Sequence, residues 1–126
     1  MRLLLDTHVL IWYVEGNEKL PSGWRQLIES FENEKYFSIA SLWEIAIKTN
    51  LGKLNIQYPI EKFVPVDFQM LPVVPNHLAA YQILPLHHRD PFDRILVVQA
   101  QVEALILMSQ DPNLRLYGIE MIGLEP

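Results

Sequence analysis

Two short runs constrain the fold most: Leu3-Leu4-Leu5 and Leu105-Ile106-Leu107-Met108, apolar at every position and separated by a hundred residues. A strand with one wet face alternates apolar and polar side chains, so an unbroken run this short marks a strand buried on both faces. Such strands belong to parallel sheets. Parallel neighbours need crossover connections, usually helices, and these cover the two faces. The expected fold is therefore α/β, a single α/β/α sandwich around a central, mainly parallel sheet.

The intervening sequence supplies the other elements. Strands are predicted at Leu3–Leu5, Tyr36–Ile39, Leu71–Val74, Leu105–Met108 and Ile119–Ile122. Helices are predicted over Thr7–Glu15, and over Pro21–Glu32, where Trp24, Leu27, Ile28 and Phe31 share one face. Others run from near Ser41 to before Gly52, over Ile60–Gln69, over Asn76–Leu84, and from Asp90 to about Glu103. No repeat, low-complexity tract or linker interrupts the 126 residues, which are expected to form one domain over 1–126.

Composition removes several chemistries. With no cysteine there is no thiolate zinc site, iron–sulfur cluster or thiol nucleophile. A net charge of −5 argues against holding nucleic acid by bulk charge alone. It suits an enzyme whose acids are gathered at a metal, since four acids spent as ligands leave the rest of the chain near neutral. The longest apolar stretches, Val9–Val14 and Ala104–Met108, fall far short of the roughly 20 residues a membrane span needs. Arg2 is followed by only three leucines before Asp6, too few for an export signal, so a cytoplasmic location is expected.

In parallel sheets, ligands gather beyond the carboxyl ends of the strands. Asp6 follows the first strand and Asp111 the run Leu105–Met108, while Glu44 and Asp93 lie in the first turns of helices. Taken singly, each reads as helix chemistry. Ser41-Leu42-Trp43-Glu44 matches a capping box, Asp90-Pro91-Phe92-Asp93 matches a capped start, and Asp6 and Asp111 suit N-caps. Taken together they are a problem in electrostatics. Two carboxylates about 4 Å apart repel by roughly 4 kcal/mol at an effective dielectric near 20. A cluster of four must hold a cation or bind protons. Oxygen ligands without thiolates favour Mg²⁺ or Mn²⁺, the equipment of a metal-dependent phosphodiesterase.

The same residues carry a resemblance. Leu3-Leu4-Leu5-Asp6-Thr7-His8-Val9-Leu10-Ile11-Trp12, Ser41-Leu42-Trp43-Glu44-Ile45-Ala46-Ile47-Lys48, His88-Arg89-Asp90-Pro91-Phe92-Asp93-Arg94 and Ser109-Gln110-Asp111 occur in that order, with Leu51-Gly52-Lys53-Leu54 and Tyr117-Gly118-Ile119 between and after them. Together they resemble a PIN domain, specifically the VapC-type ribonuclease toxin of a type II toxin–antitoxin pair. The resemblance implies Mg²⁺-dependent RNA hydrolysis by metal-activated water, a homodimer, and a cognate VapB-type antitoxin crossing the active-site groove. It places Asp6, Glu44, Asp93 and Asp111 on the acidic ligands. Asp90 competes with Asp93. Asp93 is preferred because it directly precedes the apolar helix, leaving Asp90 as a cap paired with Arg94. Thr7 and Ser109 match hydroxyl positions beside the acids, and Asn113 stands where some relatives have another acid.

Lys48, Arg89 and Arg94 are candidates for contact with RNA or a partner, as are Lys53, His87 and His88. Lys48 also suits an ordinary helix ion pair with Glu44. His87-His88 is a poor metal pair, because adjacent side chains seldom converge on one ion. Trp12, Trp24 and Trp43 are expected in the core or against a partner rather than stacked on bases. The rival reading is a catalytically silent PIN-like module whose acids are only caps and whose apolar faces serve assembly.

Overall fold

The computed structural model describes residues 1–123. Its sheet has strands β1 (Arg2–Leu5), β2 (Glu34–Ser38), β3 (Gln69–Leu71), β4 (Ile106–Met108) and β5 (Met121–Ile122), ordered β3-β2-β1-β4-β5. Every pairing is parallel. Five helices flank it: α1 (Thr7–Glu15), α2 (Ser22–Glu29), α3 (Ile39–Asn50), α4 (Pro75–Gln82) and α5 (Pro91–Glu103). The leucine run explains the layering. Leu3 and Leu5 pack into one cluster with Val9, Leu10, Ile28 and Ile45, while Leu4 joins Leu96, Val97 and Leu107 in the other. All three leucines are fully buried, as a central parallel strand requires.

The chain steps outward from β1 to β2 and β3, then returns to the other side of β1 for β4 and β5. The order therefore reverses between β1 and β4, the place where such sheets open a crevice for ligands. Asp6 and Ser109, the residues that follow these two strands, flank it.

Several elements depart from the sequence reading. α3 starts at Ile39 because Ser38, not Ser41, caps it: Ser38 Oγ accepts the Ala40 N–H at 3.0 Å. The Ser41–Glu44 capping box is not formed, and Ser41 is instead buried, accepting a hydrogen bond from Thr7 Oγ1 at 3.0 Å. β2 correspondingly runs Glu34–Ser38 rather than Tyr36–Ile39. The helix predicted over Ile60–Gln69 is only a 3₁₀ turn at Ile60–Lys62. Pro65 removes a donor and drives Val64 away from helical geometry, and buried Phe63 and Phe68 anchor an irregular segment instead. β3 lies at Gln69–Leu71, not Leu71–Val74, since Pro72 cannot continue the ladder. α2 ends at Glu29, leaving Phe31 fully exposed beyond it. The last strand shortens to Met121–Ile122, and an unforeseen 3₁₀ helix spans Pro112–Tyr117.

Candidate metal centre

Asp6 leaves β1 and caps α1, its Oδ1 accepting the Val9 N–H at 2.8 Å. It is buried, and burial pushes its carboxyl above the ordinary range. The Ser109 hydroxyl, the Val9 amide and the His8 charge oppose that rise, while the Glu44 charge adds to it. Glu44 projects from the second turn of α3 and is also buried, with Oε2 3.0 Å from Lys48 Nζ in an i,i+4 ion pair. Thr7 and Ser41 lock the starts of α1 and α3 together, which fixes Asp6 relative to Glu44.

Asp90 caps α5 through Oδ1 and the Phe92 N–H at 2.8 Å, with Pro91 at the first helical position. Asp93, one turn on, caps nothing among the described residues. Its carboxyl is raised from 3.8 to about 7. Burial is the largest cause, followed by the charges of Asp90 and Asp6; the neighbouring His88 opposes them and the charge of Glu44 adds to them. Asp111 caps the 3₁₀ helix, Oδ1 accepting the Asn113 N–H at 2.9 Å. Its Oδ2 lies 2.7 Å from His88 Nε2, which is also 3.6 Å from Asp93 Oδ2. The donor atoms of His88, Asp93 and Asp111 lie within 4.8 Å of one another. Four chain segments thus deliver acids to one end of the sheet, where Asp6, Glu44 and Asp93 each feel another's charge.

Ser109 sits behind these acids, fully buried, its Oγ accepting the Asp111 N–H at 3.1 Å. Asn113 is exposed and enters the site only by its backbone amide. Arg89 is exposed and Lys48 partly so, both open to a polyanion. Arg94 departs from expectation. It is buried and does not pair with Asp90; its guanidinium donates to the carbonyls of Leu84, Pro85 and His88 and to the hydroxyls of Tyr81 and Tyr117. These bonds tie it to the 84–88 loop. Trp24 is in the core and Trp12 packs against it, but Trp43 is 64 % exposed, edge-on to Phe92 at 5.5 Å. The two flank an apolar groove of about 510 Å³ between α3, α4 and α5, lined also by Ile39, Leu78, Tyr81 and Ile95.

The residue under-read in the sequence is His88. Its only local signal is its place two positions before Asp90; its partner Asp111 is far along the chain.

The donor set tests whether a divalent cation fits. The acids offer only oxygen, no thiolate exists in the chain, and charge is uncompensated enough to hold Asp93 near neutral pH in its proton affinity. A hard cation such as Mg²⁺ or Mn²⁺ fits that set.

The PIN domain family matches this chain over residues 3–120. The chain belongs to that family. No curated protein sequence matches it. Among solved structures, this PIN domain is similar to VapBC2 from Rickettsia felis bound to a promoter DNA fragment, with TM-score 0.74 and 12 % identity over 99 % of this chain and 100 % of that one. It is similar also to DNA-bound VapBC from Salmonella typhimurium, with TM-score 0.66 and 16 % identity over 98 % of each chain. The PIN domain endonuclease Utp24 gives TM-score 0.54 and 18 % identity over 99 % of this chain and 86 % of that one. At these identities the likeness establishes the shared α/β/α fold. PIN domains are generally metal-dependent nucleases. Among the described residues, no helix is long and apolar enough to cross a membrane.

Proposed function

We propose that this PIN domain is a VapC-type toxin: a Mg²⁺- or Mn²⁺-dependent endoribonuclease that hydrolyses RNA and is neutralised by a VapB-type antitoxin in the cytoplasm. The observation that carries the proposal is Asp93. A half-buried carboxylate that caps no helix, surrounded by the charges of Asp90, Asp6 and Glu44, serves no purpose in a silent scaffold. It is what a cation site looks like before its cation.

Asp6, Glu44, Asp93 and Asp111 would hold the ion. When bound, it supplies charge compensation for the phosphate and a water acidified to near neutral pH for in-line attack on phosphorus. The chain's own residues do the positioning. The Val9 amide fixes Asp6 Oδ1, leaving its other oxygen for a ligand role. Lys48 steadies Glu44 from the solvent side. Lys48 and Arg89 lie where the RNA backbone can reach them, and hydrolysis leaves a 5′-phosphate and a 3′-hydroxyl.

Partner binding is supported by the groove that Trp43 and Phe92 flank. Its lining carries no charged side chain, which suits a second copy of the chain, and sedimentation at rising concentration reads the dimer directly. The structural neighbours named VapBC support an antitoxin as the other partner.

The test is cleavage of cellular RNA by purified protein with end mapping. Mg²⁺ should give 5′-phosphorylated fragments, while excess EDTA or Asp6→Asn should abolish them. A cap tolerates asparagine and a ligand does not, so an active Asp6→Asn protein removes Asp6 from the site. Full turnover in EDTA refutes the mechanism.

A further inference from the structure

We infer that His88 positions Asp111, acting as an Nε2–H donor and not as a metal ligand; the inference rests on the metal-nuclease reading above. The Asp90 backbone N–H donates to His88 Nδ1 at 3.1 Å. An amide N–H can only donate, so Nδ1 carries the lone pair, and the proton of the neutral ring sits on Nε2. That proton faces Asp111 Oδ2 at 2.7 Å. With one nitrogen accepting and the other protonated, the ring has no lone pair left for a cation. The same three residues that look like a His–Asp–Asp ligand set therefore divide into two ligands and one support.

The support is itself held from several sides. The His88 N–H donates to the Tyr117 hydroxyl at 2.9 Å, and its carbonyl accepts from Arg94 at 3.2 Å. Arg94 binds the carbonyls of Pro85 at 2.9 Å and Leu84 at 3.2 Å as well. An irregular loop has no ladder to satisfy its carbonyls, and a buried guanidinium with five donors does so here. The imidazole is thereby presented in one orientation.

Asp111 is then gripped at both oxygens, Oδ1 by the Asn113 amide and Oδ2 by His88. An ionised carboxylate has about four acceptor positions, so each oxygen keeps one for a cation. Through Nδ1 the ring also touches the first residue of the turn that carries Asp93. One imidazole thus sets Asp111 relative to Asp93, although the two reach the site on different elements. Outer partners of this kind are typically worth 10–100-fold in metal affinity.

The experiment compares Mn²⁺ affinity, read by electron paramagnetic resonance of the free ion, in wild type, His88→Gln and His88→Asn. The glutamine amide nitrogen reaches the Nε2 position and keeps a donor to Asp111; the shorter asparagine places its amide near Nδ1 and does not. His88→Asn should bind roughly 10–100-fold more weakly, and His88→Gln close to wild type. Long-range ¹H–¹⁵N spectra of the wild type should show the Nε2–H tautomer both without metal and after Mg²⁺ is added. Wild-type affinity in His88→Asn overturns the inference. So does equal loss in both variants with the Nε2–H signal vanishing on metal addition, the signature of a ligand. An Nδ1–H tautomer in the metal-free wild type overturns it even if neither variant folds. Wild type that binds no Mn²⁺ while showing the Nε2–H tautomer refutes the nuclease reading instead, and the inference falls only with it.

Discussion

Replacing Asp93 by asparagine should stabilise the metal-free protein in a pH-dependent way. The folded carboxyl titrates at about 7, against 3.8 without the fold. At about 1.4 kcal/mol per pH unit, ionising it in place costs on the order of 4 kcal/mol. The sign follows from proton counting. Between those two values the folded protein holds a proton that the unfolded chain has released, so stability is highest at low pH and falls as pH rises through the window. Asp6, raised in the same direction, adds to the slope. Asparagine has nearly the shape of the neutral acid and cannot ionise. Near pH 3.5, below both values, the variant should match wild type; near pH 8 it should be more stable by about 2–4 kcal/mol, the lower figure allowing for relaxation and partial solvent access. For a domain of this size that is about 6–12 °C in Tm.

The assay is urea or thermal denaturation in EDTA at the two pH values, followed by repetition with saturating Mg²⁺. The cation should reverse the order at high pH, because it stabilises only the folded state that retains its ligand. Equal stabilities at both pH values, or a gain just as large in acid, would refute the reasoning.

Two further substitutions separate structural from functional roles. Arg94→Lys keeps the charge but loses the fork that serves three carbonyls and two hydroxyls, so urea denaturation should register a loss of about 3 kcal/mol; a loss under about 0.5 kcal/mol would mark the side chain as a surface contact after all. Lys48→Met should cost the metal-free protein about 1–3 kcal/mol, since it leaves the buried Glu44 carboxylate without its ion-pair partner. It should also reduce the log–log salt slope of RNA binding by about 0.7, and an unchanged slope would remove Lys48 from the RNA surface.

What the sequence reveals depends on how local the cause is. Leu3–Leu5 is legible because burial on both faces leaves no polar position, and that strand fixes where Asp6 emerges. The acids at strand ends are legible for the same reason. The start of α3 is not, because Ser38 and Ser41 are both competent caps; the choice is made by strand pairing, where β1 and β2 stay in register through Leu5 and Phe37. Around residue 60 the apolar spacing imitates a helix, yet Phe63 and Phe68 are anchors for a segment that Pro65 prevents from coiling. Arg94 looks like a surface charge because nothing nearby in sequence announces that the preceding loop needs donors. His88 fails in the same manner: the sequence offers only the adjacent pair His87-His88, whereas the contact with Asp111 is fixed only by folding.

The capping and ligand readings of the acids, opposed in the sequence, are compatible in three dimensions. A cap uses one carboxylate oxygen and orients the other, and the helix start that accepts it brings partial positive charge. Asp6 is held this way at α1, as Asp111 is at the short 3₁₀ helix, so the fold can gather negative charge at one end of the sheet without first requiring an ion. Asp93 lies outside that arrangement. Against its desolvation and its anionic neighbours it has only the His88 ring 3.6 Å away, whereas Asp6 has the Val9 amide, the Ser109 hydroxyl and the His8 charge. The charge that the protein leaves uncompensated is therefore concentrated on one carboxylate. On the proposed reading, a divalent cation entering the site would gain most of its affinity there, and at Asp93 the cost to the empty fold and the benefit to the loaded one would be the same quantity seen from two sides.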